Sequence, residues 1–145
     1  MKKYFCSAVG IIGSSLTYIM GGWDTALQTL ILFMGVDYIS GCIVAFVFHK
    51  SPKTETGGLS SAIGFKGIVK KIFMVLLVGI GHRLDILFTV DYIRLAMCFA
   101  FMANELISIV ENAGLMGIKM PAVVTNAIDI LSRKGEQAHG NIESH

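Results

Sequence analysis

The chain is 145 residues long, with 54% hydrophobic and only 15% charged residues, whereas soluble domains carry about 25% charged residues. A single domain of this length leaves much of its surface exposed, so one core cannot hide this much apolar area. These values exclude a soluble enzyme and a disordered chain, and the net charge of only +2 excludes a nucleic-acid-binding module.

Four apolar runs approach the roughly 20 residues that a helix needs to cross a bilayer: residues 4–20, 26–48, 72–90 and 92–110. We therefore predict an all-α membrane protein with three to four transmembrane helices plus a short C-terminal amphipathic helix. The first run follows two lysines, as in a signal peptide, but a second apolar run comes after it. We interpret the first run as a retained span or signal anchor, and a three-span form with this run at the membrane surface stays open.

The distribution of basic residues predicts the orientation of the spans. With a cytoplasmic amino terminus and four spans, only Arg83 and Arg94 of the 12 Lys and Arg residues fall outside. Short cytoplasmic loops of membrane proteins carry an excess of Lys and Arg. We therefore expect a multi-pass protein of the cytoplasmic membrane with both termini in the cytoplasm.

Residues 59–71 mix apolar side chains with Lys66, Lys70 and Lys71. One interpretation is an interfacial helix whose lysines meet anionic head groups. The other is a lead-in to the third span, in which the lysines only stop translocation. In the first interpretation these three lysines form a basic membrane surface.

The C-terminal part of the chain predicts one more helix. Pro121 is favoured in a first helical turn, and the apolar residues that follow recur on one face up to residue 133. We predict an amphipathic helix at 121–133 on the cytoplasmic surface, followed by a flexible tail at 135–145. Residues 1–134 then form a single transmembrane domain.

Asp37 is the charged residue of the second run and lies about eleven residues into it, near the middle of a bilayer. An ionisable group at that depth costs about 2.5–3.5 kcal/mol on insertion scales. Asp37 therefore needs a partner or water, or it stays protonated and serves helix packing as a neutral group. Gly41 and Ala45 form a small-xxx-small pair on a nearby face, which favours close helix contact.

The fourth run carries a polar stripe at steps of three and four residues. The stripe consists of Arg94, Cys98, Phe101, Glu105, Ser108 and Asn112, with Asn104 and Glu111 flanking it. Facing lipid would be unfavourable for such a stripe, so we expect it to face another helix, another subunit or water.

Signals for catalysis are absent from the sequence. No phosphate-binding loop, zinc-protease motif or nucleophile elbow occurs, and the four histidines lack metal-ligand spacing. The three cysteines are isolated in apolar runs, which is typical of small buried residues. We expect neither an enzyme nor a cofactor or metal.

The most specific motif is Asn104-Glu105-Leu-Ile-Ser108-Ile-Val-Glu111-Asn112. Weaker ones are Asp37-Tyr-Ile-Ser40-Gly41 and Ser60-Ser61 followed by Gly64 and Gly67. Together, over about residues 26–131, the chain resembles the phage-lysis and toxin-secretion holins, which are small bacterial and phage inner-membrane proteins. Members of that family are usually drawn with about three spans.

The resemblance implies a protein that accumulates in the bacterial host membrane, associates with itself and forms timed lesions. These lesions would release an endolysin, or in some relatives a large toxin, and the released protein would not have to bind the holin directly. The resemblance also implies an antiholin as a possible partner. The alternatives are an antiholin regulator and a small membrane assembly or transport subunit; no nucleic-acid partner is implied. Candidates for oligomerisation or pore lining are Asp37, Ser40, Gly41, Arg94, Asn104, Glu105, Ser108, Glu111 and Asn112.

Overall fold

A computed structural model describes residues 1–58 and 60–143, with side chains described as far as residue 137. No strand occurs in these ranges, as the predicted all-α class requires. The helices are α1 (Lys2–Ile19), α2 (Thr25–Phe46), α3 (Ser61–Phe88), α4 (Ile93–Leu115) and α5 (Ala122–Glu143).

The central element is α4, because α2, α3 and α5 all pack against it. Helices α2 and α4 run in the same direction, since Asp24 lies beside Arg94 at one end and Ser40 lies beside Asn112 towards the other. The apolar core between the helices includes Leu27, Leu30, Val78 and Cys98, and each of these is almost fully buried. By contrast, α1 buries none of its own residues.

The turn between α1 and α2 depends on two glycines. Gly21 and Gly22 have φ angles of +83° and +105°, which are strained for residues with a Cβ atom. The turn ends at Asp24, whose carboxylate accepts a hydrogen bond from the Leu27 amide at 2.9 Å. This contact caps the first turn of α2 and fixes where that helix starts.

Helix α3 decides between the two interpretations of residues 59–71. It runs without interruption from Ser61 to Phe88, so the lysine-rich segment is the first part of the same helix as the third apolar run. The segment is therefore continuous with the third apolar run and not a separate helix. Helix α3 runs opposite to α4, since Lys71 lies beside Glu105 whereas Gly81 lies against Arg94.

Two segments of the described chain are long and apolar enough to cross a membrane, namely Thr25–Phe48 and Ile93–Leu115. In the most apolar part of each, only 28% and 33% of the residues are buried inside the chain, so most of the surface of both faces outward. The predicted three to four spans are not confirmed. Helix α1 begins with two lysines, and α3 carries charged residues in both halves, which lowers the apolar character of these two helices.

Helix α5 differs from the prediction in length and position. It continues past residue 133 to Glu143, where a flexible tail was predicted, and residues 144 and 145 lie outside the described ranges. It also folds back along α4, with Gly135 against Ala100. Ile128 and Leu131 on one side of the helix are half-buried, whereas its charged residues and the apolar Val123 and Ile130 are exposed. The predicted contact of this helix with the cytoplasmic membrane surface stays a prediction.

Candidate functional site

A single lysine side chain joins the three helices α2, α3 and α4 at mid-length. The Nζ atom of Lys71 donates to Asp37 Oδ2 at 2.7 Å and also to Glu105 Oε2. Asp37 is the thirteenth residue of α2 and Glu105 the thirteenth of α4, so the two carboxylates lie at the same height of two parallel helices. We refer to Asp37, Lys71 and Glu105 as the charge bridge.

Asn112 completes the polar network around Asp37. Its Nδ2 atom donates to Ser40 Oγ at 2.9 Å and to Asp37 Oδ1 at 3.3 Å. Ser40 Oγ in turn donates to the Asp37 backbone carbonyl at 3.0 Å. Gly41 lies beside this network, and a Cβ atom at that position would make an ordinary contact of 3.7 Å with Asn112 Nδ2.

The charge bridge is deeply placed. Glu105 is 3% exposed, Asp37 is 8% exposed and the Lys71 side chain is 16% exposed. At 1.5 Å per residue, the two carboxylates lie about 18 Å from the starts of their helices, close to the middle of a hydrocarbon layer about 30 Å thick. One ammonium shared by two carboxylates makes each charge partnered, which is the condition for charged groups at that depth.

A cavity of about 90 Å³ lies between α2, α3 and the loop that joins them. Its wall includes Asp37, Lys71 and Asn112 from the network, and Ser51 and Thr54 from the loop. The rest of the wall is mostly apolar, with residues such as Val44, Ala45 and Ile63. The charge bridge therefore borders a cavity on the side of the α2–α3 loop.

Lys71 differs from its sequence assignment as a membrane-surface residue. Lys66 and Lys70 are exposed, as expected for surface lysines, but Lys71 points towards α2 and α4. Residues 66 and 70 lie four apart and so share a face of α3, whereas residue 71 lies on another face. Helical spacing alone could have separated Lys71 from its neighbours.

The predicted polar stripe of α4 divides into buried and exposed parts. Arg94, Glu105 and Asn112 are buried and face the other helices, and Ser108 is half-buried. The two flanking residues, Asn104 and Glu111, are exposed.

Arg94 forms a second cluster at the end of the molecule where α1 meets α2. Its guanidinium donates to both carboxylate oxygens of Asp24, at 2.6 and 3.1 Å, and to the backbone carbonyls of Met20 and Gly22. These bonds to Arg94 hold the pKa of Asp24 below its usual value of 3.8, and the Leu27 amide adds to this effect against partial burial. Arg94 thereby ties the α1–α2 turn to the start of α4.

Asp85 of α3 fixes the start of α4 from the other side. Its two carboxylate oxygens accept hydrogen bonds from the backbone amides of Ile93 and Arg94, at 2.8 and 2.9 Å. A carboxylate at a helix N-terminus satisfies free amides and interacts favourably with the helix dipole. Neither Asp85 nor Asp24 belongs to the residues predicted as a site from the sequence. Asp24 could have been recognised as a helix cap, because it is an acidic residue just before an apolar helix.

Comparison with known proteins identifies the family of this chain. The model of the bacteriophage holin family matches residues 14–133, which is most of the chain. The chain belongs to the bacteriophage holin family. The resemblance inferred from the motifs is thus confirmed, and the two apolar segments fit a membrane protein.

Relatives of this holin-family chain occur in bacteria and in a phage. An uncharacterised protein of Listeria innocua is 42% identical over 129 residues, which cover 87% of this chain and 86% of the relative. A second, from Listeria monocytogenes, is 41% identical and covers 88% of each chain. A protein of Bacillus phage phi105 named as a probable holin is 27% identical over 112 residues, 77% of each chain. No solved structure matches.

Replacing Lys71 by methionine should destabilise the protein by about 3–5 kcal/mol, because two buried carboxylates then lose their shared partner. Glu105→Gln should cost less, since the Lys71–Asp37 pair remains. Lys70→Met is the matched control, and at an exposed position it should change stability by less than about 0.5 kcal/mol. The free energy of unfolding in mixed detergent micelles measures the stability of all three variants. Equal losses of stability for Lys70→Met and Lys71→Met would show that the charge bridge does not hold the helices together.

The Asp24–Arg94 pair should make stability depend on pH in the acid range. Because the pKa of Asp24 is lowered in the folded state, the pair stabilises the fold above pH 3.8, and this contribution is lost as pH falls through the lowered pKa. Asp24→Asn keeps a capping side chain but removes the charge. Thermal unfolding in detergent should therefore show the variant less stable than the parent at about pH 6, and the two should converge towards about pH 2. A constant difference across this range would contradict the assignment.

Proposed function

We propose that this protein is a holin that accumulates in the cytoplasmic membrane of a bacterial host, associates with itself and opens timed lesions. Endolysin, or a large toxin, passes through these lesions and does not have to bind the protein. Family membership and the similarity to a probable phage holin support the proposal. The observation that carries it is the charge bridge, a set of buried charges that joins three helices with largely apolar exteriors.

The charge bridge suits a protein with a closed form and an open form. In the closed protomer each of the three charges has its partner inside the chain, so none of the three has to face lipid. Separation of α3 from α2 and α4 would leave these charges without partners and would favour their exposure to water. A lesion provides that water, so opening by many copies together is favoured over opening by one.

The outer surface supports association within the bilayer. Large apolar side chains are exposed on several helices, including Ile12 on α1, Leu32 and Ile39 on α2 and Phe73 on α3. This surface can face lipid or another copy of the chain. We propose a multi-pass arrangement with three to four spans and both termini in the cytoplasm, in which α1 and α3 join the two apolar segments in crossing the membrane.

Induction of the protein alone in a bacterium should release a cytoplasmic marker enzyme after a reproducible delay. A transport or assembly subunit would leave the membrane sealed, and an antiholin would leave it sealed alone but delay lysis by another holin. Either result would contradict the proposed function.

Asp37→Asn and Glu105→Gln should both advance the onset of marker release at equal protein amount. Each substitution removes one of the two ion pairs that hold α3 to its neighbours. Glu55→Gln makes the same chemical change at an exposed position in the α2–α3 loop and should leave the onset unchanged. If marker release by both bridge variants begins at the same time as in the parent, or later, the charge bridge has no role in timing.

A further inference from the structure

One exposed face of α3 combines two lysines with two large apolar side chains. Lys66, Val69, Lys70 and Phe73 occupy positions i, i+3, i+4 and i+7, so they are neighbours on the surface of the helix. Val69 is 47% exposed and Phe73 is 59% exposed, and both lysines are exposed as well. We refer to these four residues as the α3 patch.

The two lysines of the α3 patch have no acidic partner among the residues that the structure describes. Each ion pair found there uses Lys71 or Arg94 as its cation. The acidic residue of α3 itself is Asp85, whose carboxylate binds the backbone amides at the start of α4. The α3 patch therefore presents two positive charges that the described chain does not neutralise.

The depth of the α3 patch follows from the contact between Asp85 and the start of α4. In the proposed arrangement α4 starts at the outer surface of the membrane, and Asp85 lies beside that start. At 1.5 Å per residue, Lys70 and Lys66 lie roughly 22 and 28 Å further along α3, in the cytoplasmic half of a hydrocarbon layer about 30 Å thick. Side chains on a helix point towards its N-terminus, which for α3 is the cytoplasmic end. Both ammonium groups therefore extend towards the cytoplasmic head groups.

We infer that the α3 patch binds an anionic phospholipid of the cytoplasmic leaflet. The lipid phosphate lies between the two ammonium groups, which are one helical turn apart, and an acyl chain runs along Val69 and Phe73. Inorganic phosphate does not fit this position, because the apolar half of the patch lies in hydrocarbon, where a small anion is not solvated.

A phospholipid suits the α3 patch better than a second copy of the same patch does. Two copies in contact through this face would bring four positive charges together, and like charges in contact are unfavourable. The inference concerns the closed protomer, in which the charge bridge is intact. It rests on the proposed function in one respect, namely that α3 crosses the membrane and starts on the cytoplasmic side.

Quenching of a tryptophan by brominated lipids measures which lipid contacts the α3 patch. In the full-length chain with Trp23→Phe, Phe73→Trp places the reporter in the patch, and Ile39→Trp places a control reporter on α2. Residue 39 also lies in the cytoplasmic half, about 21 Å from the start of its helix. Ile39 is 60% exposed, and Val36 and Ile43 beside it are exposed apolar residues. The purified protein is reconstituted in phosphatidylcholine vesicles that contain a fixed minor fraction of brominated phosphatidylglycerol or, in a second set, of brominated phosphatidylcholine.

The reporter at residue 73 should favour phosphatidylglycerol over phosphatidylcholine by at least about fivefold in relative binding constant, which is the contribution of one lysine near anionic lipid. The control reporter at residue 39 should show a much smaller preference. Lys66→Met together with Lys70→Met should abolish the preference at residue 73. Lys50→Met together with Lys119→Met removes the same charge from two exposed loop positions and should leave the preference at residue 73 unchanged.

Three results would overturn the inference. An equal preference at residues 73 and 39 would show only a general attraction of anionic lipid to a basic protein. A preference at residue 73 that survives the loss of Lys66 and Lys70 would show that other groups hold the lipid. Weak quenching at residue 73 by both lipids, with strong quenching at residue 39, would show that a second copy covers the patch.

These results are independent of the test of the proposed function. The lipid preference is measured on reconstituted protein, so its absence overturns the lipid site while marker release in bacteria continues. Absence of marker release by the parent chain would instead contradict the proposed function, and the quenching would still decide whether the α3 patch binds anionic lipid.

Discussion

The structure depends on one ammonium group that serves two carboxylates. Asp37 and Glu105 lie at the same height on two parallel helices, and Lys71 reaches both from a third helix that runs the other way. Without the lysine, the two carboxylates would face each other in a medium that does not solvate charge. The relative height of α2, α3 and α4 is therefore set by this bridge, and the apolar contacts around it fill the remaining space.

One end of the bundle is held differently from its middle. At that end Arg94 joins the start of α4 to the α1–α2 turn, through backbone carbonyls and a half-exposed carboxylate, and Asp85 joins it to α3 through backbone amides. At mid-length the contacts are charges that are stable only while they stay together. An assembly that supplies water can replace those contacts, whereas the Arg94 cluster keeps the helices tethered at one end. This combination fits a protein that rearranges in the membrane without unfolding.

The sequence predicted the helical class, the buried polar side of α4 and the family from residues that repeat at helical spacing. It missed the role of Lys71, because three lysines close together resemble a basic surface until each is placed on its own face of α3. It also missed Asp24 and Asp85, whose partners lie 70 and 8 residues away and meet them only in the folded chain. The extent of α5 was underestimated because its polar residues and Gly135 suggest a tail, whereas in the folded chain Gly135 lies against Ala100 of α4.

The central claim is that Lys71 stabilises the bundle by pairing with both carboxylates. The most direct test is the free energy of unfolding, in mixed detergent micelles, of the parent, Lys71→Met, Glu105→Gln and the double variant. If the bridge acts as described, the double variant is more stable than Lys71→Met alone, because it leaves one stranded carboxylate instead of two. If the losses of stability are additive, so that the double variant is the least stable of the four proteins, Lys71 does not act by pairing with both carboxylates.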